Sequence, residues 1–146
     1  MQILMYGIYL FLAVFAAGNM VTLQIQHYGI YPFVGKEKFA AYMQANNKSA
    51  AIPSIMPAML LLIVNIILIF TRPVFMPATA VYISLALNLI AFISTFAWQR
   101  KLQGEMAVSG YDELKIKRLN ATNWIRTFAF LTQAVIAVAV VMNAIK

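Results

Sequence analysis

Cysteine is absent from the 146-residue chain. Disulfide frameworks, thiolate nucleophiles, thiolate-bound zinc and iron–sulfur clusters are excluded with it, and no redox compartment is signalled. Histidine occurs once, which excludes a bis-histidine haem; a zinc site would have to draw on Asp and Glu, of which the chain has four. Charged side chains make up 10% of the residues where an average soluble domain has roughly 25%, and hydrophobic ones 63% where it has roughly 45–50%. With a mean hydropathy of +0.80, the composition is that of an integral membrane protein. No Ser/Gly-rich linker, low-complexity run or internal repeat divides residues 1–146, which read as a single transmembrane domain. The opening MQILMYGIYLFLAVFAAGNM lacks the basic stretch of a cleaved secretory signal and is expected to persist as a first helix.

A span needs about 20 mainly apolar residues. Four stretches qualify, at about 3–25, 51–71, 77–98 and 122–145. The expected fold is all-α, an integral membrane four-helix antiparallel bundle with a short amphipathic helical segment in the third loop. Only TRPVFMP separates the second and third spans, and Pro73 and Pro77 stop one helix and open the next, which forces a hairpin. In the third loop Trp98, Leu102 and Met106 recur every four residues, so the third span continues beyond the membrane as an amphipathic helix. Ser109, three residues before Asp112 and next to Gly110, reads as a capping-box-like start for a second short helix that runs into the fourth span.

The net charge of +7 is concentrated on one side. Lys36, Lys38, Lys48, Arg100, Lys101, Lys115, Lys117 and Arg118 lie in the first and third loops, with only Arg72 and Lys146 opposite. Basic residues collect on the cytoplasmic flank of membrane spans, so both termini are expected outside the cytoplasm. This segregation assigns the charge to anionic membrane lipids rather than to nucleic acid, which is not expected as a partner.

Polar residues inside the spans fall on helical faces. Asn19, Thr22 and Gln26 follow one another in the first span, Ser84, Asn88, Thr95 and Gln99 in the third, and Asn123, Arg126 and Gln133 in the fourth; the second adds Ser54 and Asn65. Two readings fit four inward stripes: interhelical packing contacts, or a small polar pocket open to the cytoplasmic leaflet and floored by those amides. Pro53 can sit in the first turn of the second span at no hydrogen-bond cost, whereas Pro57 is expected to remove an interior bond and bend the helix.

The histidine, His27, closes the first span beside Tyr28 and Tyr31, where interfacial aromatics gather. Tyr31-Pro32, then VGKEKFAAY (Val34 to Tyr42), a proline-bearing second span and NWIRT (Asn123 to Thr127) follow in order. This series resembles a group of small bacterial four-helix membrane proteins of unknown function related to the anthrone oxygenase-like proteins. The resemblance covers essentially the whole chain, with the Asn-Trp-x-Arg-Thr segment its most specific mark, and implies a bacterial inner membrane location. Many members of the group carry a Tyr-His-x-x-His arrangement, where this chain has Met43 and Asn46, and often an Arg beyond NWxRT, where it has Gln133. The missing histidine pair points away from oxygenase chemistry.

Within NWIRT, Trp124 suits the interface, and Asn123 and Thr127 suit hydrogen bonds between helices. Arg126 is the single charge embedded in a span; its planar fork either clamps helices or meets a carboxylate, phosphate or quinone-like carbonyl. The candidate ligand-binding residues are therefore Arg126, Asn123, Trp124, Gln133, Asn88, Gln26, His27 and Tyr28, with no catalytic or metal-ligating residue and no cofactor named. The expected function is that of a non-enzymatic inner-membrane protein, a small accessory subunit or ligand-binding bundle that associates with other membrane subunits or with itself. The alternative is a membrane oxidoreductase or oxygenase acting on an aromatic or quinone-like substrate, with Arg126 orienting it and His27 or Tyr28 handling protons. A solute transporter is disfavoured by the lack of repeats and paired broken helices.

Overall fold

Hydrocarbon offers no partner to a backbone N–H or C=O, so a spanning segment must satisfy them within itself as a helix. The computed structural model describes residues 1–146, the side chain of Ala51 excepted. Its α-helices are α1 (Gln2–Thr22), α2 (Phe39–Ser49), α3 (Met56–Thr71), α4 (Ala78–Ser94), α5 (Arg100–Ser109) and α6 (Glu113–Ala144). Helix α1 packs on α3 and α6, and α4 packs on the same two. The four long helices thus form a square in chain order, each antiparallel to both neighbours. With their extensions they give segments Gln2–Phe33, Ile52–Thr71, Ala78–Ser109 and Glu113–Ala144, each long and apolar enough to cross a membrane, which fits a multi-pass membrane protein.

Small residues let the helix backbones approach where lipid provides no hydrophobic drive. Ala13, Ala16 and Ala17 of α1 and Ala129 and Ala137 of α6 do so here, with Tyr6, Tyr9, Leu61, Leu68 and Phe130 filling the remaining space. Tyr6 Oη donates to the Ala137 carbonyl at 2.5 Å, and Tyr9 Oη shares a 2.7 Å hydrogen bond with Ser84 Oγ, joining α1 to α6 and α4. Large apolar side chains such as Phe11, Phe70, Ile93, Phe96 and Val135 are exposed on the outer surface, where acyl chains would lie.

A second core closes one end of the bundle. Tyr28, Tyr31, Phe39, Met43, Leu102, Met106, Ile116 and Leu119 pack together where the end of the first span, α2, α5 and the start of α6 meet. Gln44 Nε2 donates to the Ala107 carbonyl at 2.9 Å, and Asn47 Nδ2 to the Gln103 carbonyl at 3.3 Å, tying α2 to α5. The first loop is therefore not merely a connection: α2 contributes Phe39 and Met43, one helical turn apart, to this core. The amphipathic continuation of the third span is present as α5, with Leu102 and Met106 buried.

Three local readings of the sequence are corrected. No separate short helix precedes the fourth span; α6 is one helix of 32 residues, capped by Asp112, whose side chain accepts from Lys115 N at 3.0 Å. Ser109 instead ends α5 and bonds back to the Glu105 carbonyl at 3.0 Å, while Gly110 makes the corner with φ of 83°. The prolines of the second span exchange roles. Pro57 lies in the first turn of α3, and the irregularity precedes it, as a π-helical turn over Ala51–Ile55 that contains Pro53. Pro57 has no N–H to offer the Pro53 carbonyl four residues back; Asn19 Nδ2 bonds that carbonyl at 2.9 Å and Ser54 Oγ at 3.3 Å.

Candidate ligand-binding site

Three π-helical turns occur in the chain, at Leu23–His27, Ala51–Ile55 and Thr95–Gln99. Each interrupts a membrane span at the end that meets the second core. A π-turn inserts a residue into the helical repeat and commonly marks a functional site. In the first span it brings Tyr28 back to the buried line that runs through Tyr9, Ala13, Ala16, Met20 and Gln24. The turns surround Arg126.

Arg126 is 8% exposed. Its Nε donates to Asn123 Oδ1 at 2.9 Å, and Nη2 bonds the same oxygen and Tyr28 Oη at 3.2 Å. Nη1 donates to Thr95 Oγ1, in the π-turn below α4, at 3.3 Å. Arg126 thus joins α6 to the ends of the first and third spans. Tyr28 Oη also accepts from Gln103 Nε2 and donates to Gln99 Oε1, both at 3.4 Å. Asn123 Nδ2 donates to Gln24 Oε1 at 2.8 Å, and the Gln24 amide bonds the Asn120 side chain in turn. Gln99 Nε2 reaches Thr122 Oγ1 at 2.9 Å.

Every one of these partners is neutral, although a guanidinium stays charged in any protein environment. Glu105 and Asp112 face Lys115 at 3.1 and 3.9 Å, Glu113 faces Lys117 at 2.6 Å, and Glu37 is exposed in the first loop. Among the described residues no acid pairs with Arg126.

Two cavities meet at this side chain. One, of about 260 Å³, is polar on several sides, with His27, Tyr28, Asn46, Asn47, Ser49 and Gln103 in its wall. The other, of about 250 Å³, is apolar, with Met20, Ala58, Ala91, Phe92, Phe96 and Phe130 in its wall. Arg126, Arg100, Ser54, Ile55 and Thr95 border both, and no Asp or Glu borders either. Together they have the size of a small-molecule site, which is typically roughly 300–1,000 Å³. At the rim His27 Nε2 and Tyr31 Oη share a 3.1 Å hydrogen bond, and Asn46 Nδ2 donates to Tyr31 Oη at 3.3 Å. Burial pushes the pKa of the nearby Tyr42 phenol above its ordinary value, so that ring is neutral.

The structure brings Arg126, Asn123, Tyr28 and His27 together and separates the other four candidates from them. Trp124 is 42% exposed and stacks on Phe128 with ring centroids 5.2 Å apart, facing outward. Gln26 is exposed; Gln24 occupies the interior place expected of it. Asn88 and Gln133 are wholly buried, yet they border neither cavity, and with Asn65 their amides have no hydrogen-bond partner among the described residues. The sequence reading missed Gln24 and Gln103. Gln24 was visible in principle, four residues after Met20 on one helical face. Gln103 had no such signal, since its role depends on the π-turn before α5.

Among the described residues no group of three His, Cys, Asp or Glu is placed to hold a metal ion. No known protein family matches the chain, and no characterised protein or solved structure is significantly similar to it.

Proposed function

We propose that this chain is a ligand-binding membrane bundle that takes a lipophilic molecule with a polar head from the surrounding leaflet. The observation that carries this reading is the meeting of a polar and an apolar cavity at one buried guanidinium, beside three π-turns. The apolar body would lie between α3 and α4 and the head among Tyr28, Arg126 and Asn46. The chain would serve as a homo-oligomer or as a small accessory subunit of a larger assembly, binding rather than transforming its ligand. We place it in a bacterial inner membrane with both termini outside the cytoplasm, supported by the basic residues of α5, the start of α6 and the first loop. Kinship with the anthrone oxygenase-like group is part of the same proposal and rests on NWIRT and the Tyr31-Pro32 loop.

Native mass spectrometry after gentle extraction tests the reading. The expected result is the 16.3 kDa chain, or a small multiple, carrying a reproducible extra mass that Ala58→Phe removes by filling the apolar cavity. A bare chain in both proteins would overturn the binding reading, and larger subunits at fixed stoichiometry would identify the assembly.

A further inference from the structure

The charge inventory around the cavities specifies the head group. Among the described residues Arg126 is the one buried ionic side chain, its three partners are neutral, and the four acids are exposed or engaged elsewhere. A buried charge left without a counter-charge is strongly destabilising, and in hydrocarbon such residues mark ligand or ion sites. The compensating anion therefore comes from outside the chain. Of the five guanidinium N–H groups, Asn123, Tyr28 and Thr95 occupy four, and one on Nη1 remains, on the side chain that borders both cavities.

We infer that the ligand is a monocarboxylate on an apolar body, its carboxylate paired with Arg126 and its body in the chamber lined by Ala58, Phe92 and Phe130. This rests on the binding reading above and adds the charge and type of the head. A single buried positive charge with one free N–H matches a monoanion that takes one or two donors. A phosphate monoester brings up to two charges and three acceptor oxygens, and the only other cation bordering the cavities, Arg100, is exposed to solvent. Asn46 and Asn47, in the wall of the polar cavity, each commit one amide N–H to Tyr31 Oη and the Gln103 carbonyl and keep a second that can serve the other carboxylate oxygen. The apolar chamber admits either an alkyl chain or a flat ring, since Phe92, Phe96 and Phe130 suit both.

The full chain in phosphatidylcholine nanodiscs, with empty nanodiscs subtracted, is loaded with radiolabelled dodecanoate and challenged with unlabelled competitors. The expected result is one dodecanoate per chain, displaced by dodecanoate or 2-naphthoate at concentrations at least tenfold below those needed of dodecanol or dodecyl phosphate. The better of the two carboxylates distinguishes a chain from a ring. R126Q should erase the preference over dodecanol, and R126K should keep part of it. Equal displacement by dodecanol in the unaltered protein would overturn the carboxylate assignment while leaving the cavity reading intact; stronger displacement by dodecyl phosphate would replace it with a phosphate. Label held equally by Ala58→Phe would overturn the binding reading itself.

Discussion

Removing the Asn19 amide should weaken the protein only while residue 57 is a proline. The Pro53 carbonyl faces a residue four positions on that has no N–H, and Asn19 Nδ2 supplies the missing donor from α1 to the π-turn that precedes α3, at 2.9 Å. The bond is exposed in the wall of the polar cavity, so the scale that applies is that of polar contacts between membrane helices, which average about 0.6 and reach about 1.7 kcal/mol. Asn19→Leu is therefore expected to destabilise by about 1–1.5 kcal/mol, in the upper part of that range. Pro57→Ala restores an N–H that can take over the Pro53 carbonyl, and in that background Asn19→Leu should cost no more than about 0.5 kcal/mol, the ordinary scatter of independent sites. A double-mutant cycle measures the difference, with unfolding by dodecyl sulfate in mixed micelles followed by circular dichroism. Additivity within about 0.3–0.5 kcal/mol would refute the claim that Asn19 stands in for the missing proline N–H.

Two further outcomes follow from local structure. Asp112→Ala removes the side chain that caps α6 at Lys115 N and should destabilise by about 1 kcal/mol, read by the same unfolding titration; an unchanged midpoint would mean that the cap contributes nothing. Asn65→Leu replaces a wholly buried amide that has no partner among the described residues with an apolar group of similar size and should leave stability equal or raise it by about 1 kcal/mol. A loss above about 1 kcal/mol would show that the amide is engaged.

The spans and the inward phase of α4 and α6 were legible because hydropathy and polar spacing agree there: Ser84, Asn88, Asn123 and Arg126 are all buried. In the first span the same rule misled. Thr22 and Gln26 lie roughly 110–150° round the helix from the Tyr9–Ala13–Ala16–Met20 line, at about 100° per residue, and are exposed, while Asn19 is half-buried and reaches Pro53 and Ser54 across the helix interface. The wholly buried face of α1 is set by apolar and aromatic residues such as Tyr6, Tyr9, Ala13, Ala16 and Met20. Thr22 is free to sit outward because its hydroxyl bonds the Gly18 carbonyl of its own helix at 3.0 Å. Tyr28 and Arg126 could be named from the sequence, but not their contact, which requires the extra residue of the Leu23–His27 π-turn to rotate Tyr28 inward. Helix α2 escaped notice because only Phe39 and Met43 of its residues are buried, and they become a core only against Leu102, Met106 and Leu119.

The helices do not need Arg126 in order to be held together at this level. Gln24 with Asn123 and Gln99 with Thr122 already join the first and third spans to α6 through neutral hydrogen bonds of 2.8 and 2.9 Å. Such pairs incur no ionic desolvation, whereas an Arg in a membrane helix is expensive by about 2.5–3.5 kcal/mol on insertion scales. A clamp made only for stability would be expected to use another amide. What the guanidinium adds to its neighbours is positive charge, and that charge borders both the polar and the apolar cavity. The irregular backbone points the same way, because all three π-turns lie at this level while the rest of the long helices is regular. Backbone irregularity and uncompensated charge are two separate costs; their coincidence around one cavity pair is better explained by an anionic occupant than by the packing of four helices.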